Sequence, residues 1–377
     1  MHILVCSPSY PTSKSIDFVF VDQLCRAFAD NGHKVTVIAP QSITKCLLRH
    51  IPIVKCHSYY STSKGNKIEL YRPYHITLGN SGHKWLKNSF QNAVARAFGK
   101  MSQKPDVCYG HFWQSMFALY PLAMKNSIPL FGASGEENVG YYVSKPNDFK
   151  AGVKQYISGL VNVSSKNREE CLSLDLISEE KSRVIPNAID NFLFYKRDKS
   201  EMRRKYGYDE NDFIVAFTGQ FVPRKGTIRL SDALTKLNDK KIKAIFMGRG
   251  SEEPTYEGTL LKGAVNHDLL PEYLSCADVF VLPTENEGCS NAIIEAMACG
   301  LPIISTDAAF NHDILNENNS IMIDCHNIDQ IAEAIKTLND DNTLRERLAE
   351  GALQTASGLT ISKRAENIVE FIKSKIK

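Results

Sequence analysis

The stretch MHILVCSPSYPTSKSIDFVFVDQLCRAFADNGHKVTVIAP, residues 1–40, decides the fold. Ile3 to Val5 is a short continuous apolar run, Phe18 to Ala29 carries apolar residues at helical spacing, and Val35 to Ala39 is a second short run after Asn31-Gly32. Short apolar runs bounded by polar segments read as buried strands, and spacing of three to four reads as an amphipathic helix. Gly32 stands where a helix C-terminal cap is expected. Strand, helix and strand in that order predict a parallel pair with the helix crossing one face. In such sheets ligands bind beyond the carboxyl ends of the strands, so the polar loop Ser7 to Ser15 belongs to a candidate site.

The alternation continues outward through Val107 to Tyr109, Leu130 to Ala133, Val161 to Ser164 and Arg183 to Asp190. A charged stretch from Asn191 to Asp212 then reads as a crossing between domains. Beyond it the pattern restarts, with strands at Ile214 to Thr218, Lys243 to Met247, Val279 to Leu282 and Pro302 to Ser305, and helices at Thr227 to Leu237 and Ala292 to Ala298. A chain of 377 residues exceeds what one core usually covers. The prediction is an α/β protein of two Rossmann-like parallel-sheet domains facing across a cleft: residues 1–190, residues 191–358, and a final helical segment, residues 359–377, returning to the first domain.

Composition narrows the function classes. With 43% hydrophobic and 23% charged residues the chain reads as a soluble globular protein. Ten cysteines are scattered without a CxxC pair, and the opening residues lack a charged segment followed by a long apolar one. That predicts a reducing, cytoplasmic setting. No apolar run approaches the roughly 18 residues of a membrane span, so membrane contact is expected to be peripheral.

Between Lys45 and Lys104 eleven Lys or Arg face one acid, Glu69. This local balance of +10 sits in a chain whose total is +3. Within it, Leu86, Phe90, Val94 and Met101 fall near one helical face and are expected to pack on the core. The basic surface of residues 45–104, with Tyr59, Tyr60, Tyr71 and Tyr74, suits peripheral contact with an anionic membrane. Nucleic acid is not expected as a partner, because net charge is low and no recognition motif occurs.

The chemistry concentrates in TENEGCSNAIIEAMACGLP, residues 284–302. Glu287 follows a strand and Glu295 lies in the next helix. Gly288, Cys289, Ser290 and Asn291 form a loop and helix start whose backbone N–H groups make an anion site. An isolated Glu-x7-Glu is ordinarily a satisfied helix carboxylate, here Glu295, after an ordinary connecting loop, but this one has company. The stretch resembles the Glu-x7-Glu signature of the retaining glycosyltransferase family 4. Phe217 to Gly226, FTGQFVPRKG, is similar to the family's glycine, arginine and lysine-glycine loop. Gly263 to Leu274 resembles the segment before the signature, and Val161 to Ser165 with Val184 to Asp190 resembles the interdomain boundary.

The resemblance implies a GT-B fold and transfer of a hexose or related sugar, with retention, from a nucleotide-sugar to a glycan or lipid-linked acceptor in cell-surface polysaccharide or glycolipid synthesis. It implies that Glu295 holds the donor ribose, that Glu287 with Gly288, Cys289, Ser290 and Asn291 faces the transferred sugar, and that Lys225 with Arg224 neutralises the diphosphate. Gly219, Gly250 and Val265 join the donor side, and His111 points toward the sugar. Ser15, Ser134 and Glu136 belong to the acceptor or sugar side, Ser134-Gly135-Glu136 being similar to the family's His-Gly-acid turn with serine replacing histidine. A UDP-sugar is favoured over GDP- or ADP-sugars, with no further cofactor and no metal.

Two positions depart from the family pattern. Gln220 replaces the usual arginine, leaving Arg224 or Lys14 to compensate, and the first loop lacks the usual Gly-Gly. Absent motifs exclude other chemistries: no Asp-x-Asp, His-Glu-x-x-His or phosphate-loop motif occurs, and Gly248-Arg249-Gly250 lacks the third glycine of a dinucleotide fingerprint. The remaining alternatives are a nucleotide-sugar epimerase on the same architecture and a non-catalytic partner of a second transferase.

Overall fold

The computed structural model describes residues 1–12, 17–48, 50–77, 88–142 and 146–376. These divide into two compact units, Met1–Ile185 with Ile361–Lys377, and Pro186–Thr360. The division falls a few residues before the expected position at 190, so Pro186 to Asp190 belongs with the second unit.

In the first unit the strands are β1 (His2–Cys6), β2 (Lys34–Ile38), β3 (Gln41–Ser42), β4 (His57–Ser61), β5 (Lys67–Tyr71), β6 (Tyr74–His75), β7 (Val107–His111), β8 (Leu130–Ser134), β9 (Gly159–Asn162) and β10 (Ser182–Val184). Eight of them make one sheet in the order β10-β9-β8-β7-β1-β2-β5-β4. Every pairing is parallel except that of β4 with β5. All residues of β1, β7 and β8 are buried, as strands covered on both faces must be. The helix Val19–Asp30 crosses from β1 to β2 and buries Val21, Leu24 and Phe28.

The terminal helix Ile361–Lys375 buries Ala365, Ile368, Val369, Phe371 and Ile372 in the same core cluster as Leu24, Phe28 and Phe131. Its Arg364 is also buried and donates to the Ile185 carbonyl at 2.7 Å. The apolar face of this helix has its partner in the first unit, so the end of the chain completes a core begun at the start.

The basic segment is only partly a surface. Helix Ser89–Phe98 buries Phe90, Ala93, Val94 and Ala97. Met101 packs against the core beyond the helix, and Leu86 lies outside the described residues. Of the four tyrosines, Tyr71 is buried and Tyr60 donates to Asp22 Oδ1 at 2.8 Å, so neither lies free on the surface. Tyr59 and Tyr74 do remain exposed. A strand's alternation sent Tyr60 inward and Tyr59 outward.

The second unit holds β11 (Phe213–Thr218), β12 (Ile242–Met247), β13 (Thr259–Gly263), β14 (Val279–Leu282), β15 (Ile303–Thr306) and β16 (Ser320–Ile323). Their order is β13-β12-β11-β14-β15-β16, and all pairings are parallel. The order reverses direction between β11 and β14 here, and between β1 and β7 in the first sheet. Each reversal opens a crevice at the carboxyl ends, where loops part to opposite faces.

A buried charge cluster ties the charged crossing to this second sheet. Arg203, on helix Lys199–Tyr206, donates to Asp278 Oδ2 at 2.6 Å and to the carbonyls of Cys276 and Asp212, each at 2.9 Å. Asp278 also accepts from Lys199 at 2.7 Å and from the Ile214 N–H at 2.7 Å. Removing one member of a buried pair strands the other charge, at about 3–5 kcal/mol. Arg203→Met should therefore lower stability by that order in urea unfolding, whereas Lys236→Met, at an exposed ion pair with Asp329, should cost less than about 1 kcal/mol.

Candidate functional site

The crevice between β11 and β14 is lined by the loops that follow those strands. After β11, Gly219 donates to the Met247 carbonyl at 3.0 Å and Phe221 to the Arg249 carbonyl at 3.0 Å. This holds the loop beside Gly248 and Gly250, where a Cβ on residue 250 would lie 2.1 Å from the Phe221 carbonyl oxygen. The loop then makes a single 3-10 turn, Pro223–Lys225, closed by Gly226 at φ 76°. Only glycine adopts that conformation without strain.

The turn delivers its cations to the loop after β14. Arg224 Nη1 donates to Glu287 Oε1 at 3.2 Å and to the Asn286 carbonyl at 2.5 Å, and Lys225 Nζ donates to the same carboxylate oxygen. Thr284 Oγ1 adds a third donor at 3.1 Å. Glu287 is buried and draws both cations to one carboxylate oxygen beside the crevice.

Behind it begins helix Asn291–Ala298, with Ser290 in the N-cap position but making no side-chain cap bond. Helix Lys199–Tyr206, by contrast, is capped by Asp198, and helix Ser165–Ser173 by Ser164. An uncapped helix start keeps its N–H groups for an anion. Gly288, Cys289 and Ser290 are buried, and Asn187 Nδ2 donates to the Cys289 carbonyl at 3.0 Å, fixing the loop from outside. Asn291 Oδ1 is buried without a hydrogen-bond partner.

Glu295, one turn into the helix, meets His267 Nε2 at 3.3 Å. Burial alone would lower the pKa of this imidazole, but the hydrogen bond and charge of Glu295, with Asp268 and Asp190, outweigh it and raise the pKa above its ordinary value. The Phe194 ring stands edge-on to it at 5.2 Å. His267 lies inside the segment quoted above, yet no spacing in the sequence singles it out; only folding brings the loop after β13 against the helix. Val265 sits half-buried on that loop.

Gln220 is exposed. The cations that the loop places at the carboxylate are Arg224 and Lys225, and Lys14 lies outside the described residues.

The first unit places His111 at the carboxyl end of β7, beside its own reversal point. The ring is buried against Phe20 at 5.3 Å and Phe112 at 4.6 Å, and its Nδ1 has no hydrogen-bond partner. Phe112 has φ 68°, a conformation disfavoured for a bulky residue, which turns the chain sharply into helix Phe112–Lys125. Ser134 and Glu136 sit at the end of β8. Glu136 Oε1 accepts from the Trp113 N–H at 2.8 Å, and Oε2 from the Ser134 hydroxyl and the Gly135 N–H, each at 2.9 Å. Both carboxylate oxygens are thereby spent on neighbouring groups, one of them at the start of the helix after His111. Burial pushes the Glu136 pKa up against the pull of these hydrogen bonds. Ser15 lies outside the described residues.

Among the described residues no three His, Cys, Asp or Glu side chains converge so as to hold a metal ion, and none of their helices is long and apolar enough to cross a membrane.

Residues 18–191 match the family described as Glycosyltransferase Family 4, and residues 198–355 the family described as Glycosyl transferases group 1. The chain is a GT-B glycosyltransferase of family 4. TuaC of Bacillus subtilis (strain 168), assigned by name to teichuronic acid biosynthesis as a glycosyltransferase, is 26% identical over 94% of this chain and 93% of its own. The UDP-Gal:alpha-D-GlcNAc-diphosphoundecaprenol alpha-1,3-galactosyltransferase of Escherichia coli is 26% identical over 56% of this chain and 59% of its own. Among solved structures, sucrose-phosphate synthase of Thermosynechococcus elongatus superposes with a TM-score of 0.79 at 17% identity, over 99% of this chain and 98% of its own.

The buried His111 makes a pH prediction. Burial, and next the charge of Arg364, hold its pKa near 3, against about 6.5 when unfolded. Its contribution to stability is thus present above pH 6.5 and lost as pH falls toward 3, because the unfolded chain takes up a proton that the folded one refuses. His111→Gln should flatten the decline of Tm between pH 7 and 4, leaving the parts due to His75, whose pKa burial lowers to about 4, and to His2 and His33, whose pKa values burial also lowers. An unchanged decline would show that His111 is readily protonated in the fold.

Proposed function

We propose that this glycosyltransferase transfers a hexose or related sugar, with retention and without a metal, from a nucleoside-diphosphate sugar to a glycan or lipid-linked acceptor in surface polysaccharide or glycolipid synthesis. The observation that carries the reading is the convergence of Lys225, Arg224 and the uncapped start of helix Asn291–Ala298 at the β11/β14 crevice. Breaking a sugar–phosphate bond leaves growing negative charge on the diphosphate. Fixed cations and helix N–H groups stabilise that charge without reorganising. Glu295, one turn further along, is the acceptor for ribose hydroxyls, with His267 on one of its oxygens. A UDP-sugar is the favoured donor, in keeping with the Escherichia coli relative, whose name specifies UDP-Gal.

Retention by double displacement requires a carboxylate facing the sugar. Glu136 is buried, with three hydrogen bonds absorbing its two oxygens. That supports same-face attack, in which the acceptor hydroxyl enters beside the departing diphosphate and a phosphate oxygen takes its proton. Membrane contact is supported by an exposed apolar group on the basic segment: Leu47 at 65%, Leu48 at 79% and Ile53 at 45% exposure, with Lys45 and Lys55 alongside.

With chelator present, UDP at a hundredfold excess over its Kd should stabilise the protein by about 2.7 kcal/mol, seen as a rise in Tm. Glu295→Ala should abolish the rise. Lys225→Ala should lower kcat by about 10²-fold or more, the cost of losing a preorganised charge contact. No rise with UDP-, GDP- or ADP-sugars or their free diphosphates would overturn the donor reading. For the membrane, Leu47→Ser with Leu48→Ser should release the protein from phosphatidylglycerol vesicles in sedimentation while leaving the UDP response intact.

A further inference from the structure

The outer edge of the first sheet carries a cavity of about 430 Å³ that no step above uses. Its wall is formed by Cys56, His57, Tyr71, Tyr74, Arg96 and Lys100. This volume lies in the range of small-ligand sites. His57 and Tyr71 are cross-strand partners of β4 and β5, and their rings stack at 4.4 Å with an interplanar angle of 18°. Arg96, on helix Ser89–Phe98, donates to the Tyr74 carbonyl at 2.7 Å, and both residues line the cavity, Tyr74 with an exposed ring.

The charge arrangement decides what such a cavity takes. Glu69 is the only acid between Asp30 and Asp106. Its Oε1 accepts from His57 at 3.0 Å, Tyr59 at 3.0 Å and Tyr71 at 2.9 Å, and its Oε2 from Thr36 at 3.3 Å. The one acid is consumed holding the aromatic wall in place. No acid lines the cavity, and neither Arg96 nor Lys100 has an ion-pair partner among the described residues. Tyr71 ends β5, so the cavity lies at the carboxyl end of that strand.

We infer that this cavity binds an anionic pyranose of the acceptor glycan, a sugar bearing a carboxylate or phosphate, with the ring against the exposed Tyr74 and the anion on Arg96 and Lys100. Aromatic faces take the C–H face of a sugar ring, and a guanidinium takes a carboxylate or phosphate through paired N–H groups. The inference rests on the proposed acceptor class, and it adds which acceptors the first unit prefers.

The test is fluorescence polarisation with end-labelled tetragalacturonate at physiological salt, without lipid, so that a saccharide is separated from a membrane headgroup. Tetragalacturonate should bind and maltotetraose should not. Arg96→Gln with Lys100→Gln should weaken binding at least about tenfold, as expected for a lost charge-assisted hydrogen bond. Tyr74→Ala should weaken it too, which a general attraction to a basic surface would not. Lys64→Gln with Lys125→Gln removes the same charge from exposed positions elsewhere and should leave binding within about twofold.

Equal losses from both lysine-containing pairs, no tetragalacturonate binding, or equal binding of the neutral oligomer would each overturn the inference. The UDP-induced rise in Tm, measured on the same variants, should be unchanged. A missing UDP response with intact tetragalacturonate binding sinks the donor reading alone, and the converse result sinks this site alone.

Discussion

At residue 226 the loop after β11 passes so close to the loop after β14 that a Cβ there would lie 2.4 Å from the Pro283 carbonyl oxygen. The approach lets the Glu285 N–H donate to the Arg224 carbonyl at 2.9 Å. Arg229 closes the same gap from the helix side, donating to the Pro283 carbonyl at 2.8 Å, the Pro223 carbonyl at 3.0 Å and Glu285 Oε1 at 2.9 Å. A side chain at 226 would push the loops apart, and with them the two cations from the carboxylate that orients them. The candidate donor site is therefore a property of a backbone contact first and of charged side chains second.

Acids in this protein recur as organisers of other groups. Glu287 collects Lys225, Arg224 and Thr284 on one oxygen. Glu69 collects His57, Tyr59 and Tyr71 on one oxygen in the other unit. Glu136 gathers two backbone N–H groups and a hydroxyl at the turn after β8. In each case the carboxylate fixes donors that flexible side chains or loose turns would otherwise leave mobile. Preorganisation of this kind is what a charge-separating transfer requires of its surroundings.

The last helix has a similar supporting part in the first unit. It fills the core beneath β1 and β7 with Phe371, Ile368 and Ile372. It also brings the buried Arg364 near enough that its charge helps keep the His111 ring neutral. The chain end thus bears on the electrostatics of a residue 253 positions earlier, counted from His111 to Arg364.

The central strands of both sheets were legible in the sequence, because a buried parallel strand must be an apolar run and a crossing helix must be amphipathic, whereas β4, β5, β13 and β16, toward the sheet edges, carry exposed or half-buried residues and offered no such run. The Glu-x7-Glu stretch, the Arg-Lys-Gly turn and the glycines around them were legible too, since close backbone approach and helix starts demand particular residues at particular spacings. Three things were not. Tyr60 and Tyr71 looked like surface aromatics until strand register turned them inward. His267 stood unmarked in its loop until β13 carried it to Glu295, and Glu136 showed no sign of being tied to the turn after His111. Local periodicity and turn chemistry are set by neighbours in the chain, so the sequence by itself determined the central strands of the two sheets and the loops that form the candidate site. Which side chains meet depends on contacts between residues tens of positions apart, and only the tertiary structure decided those.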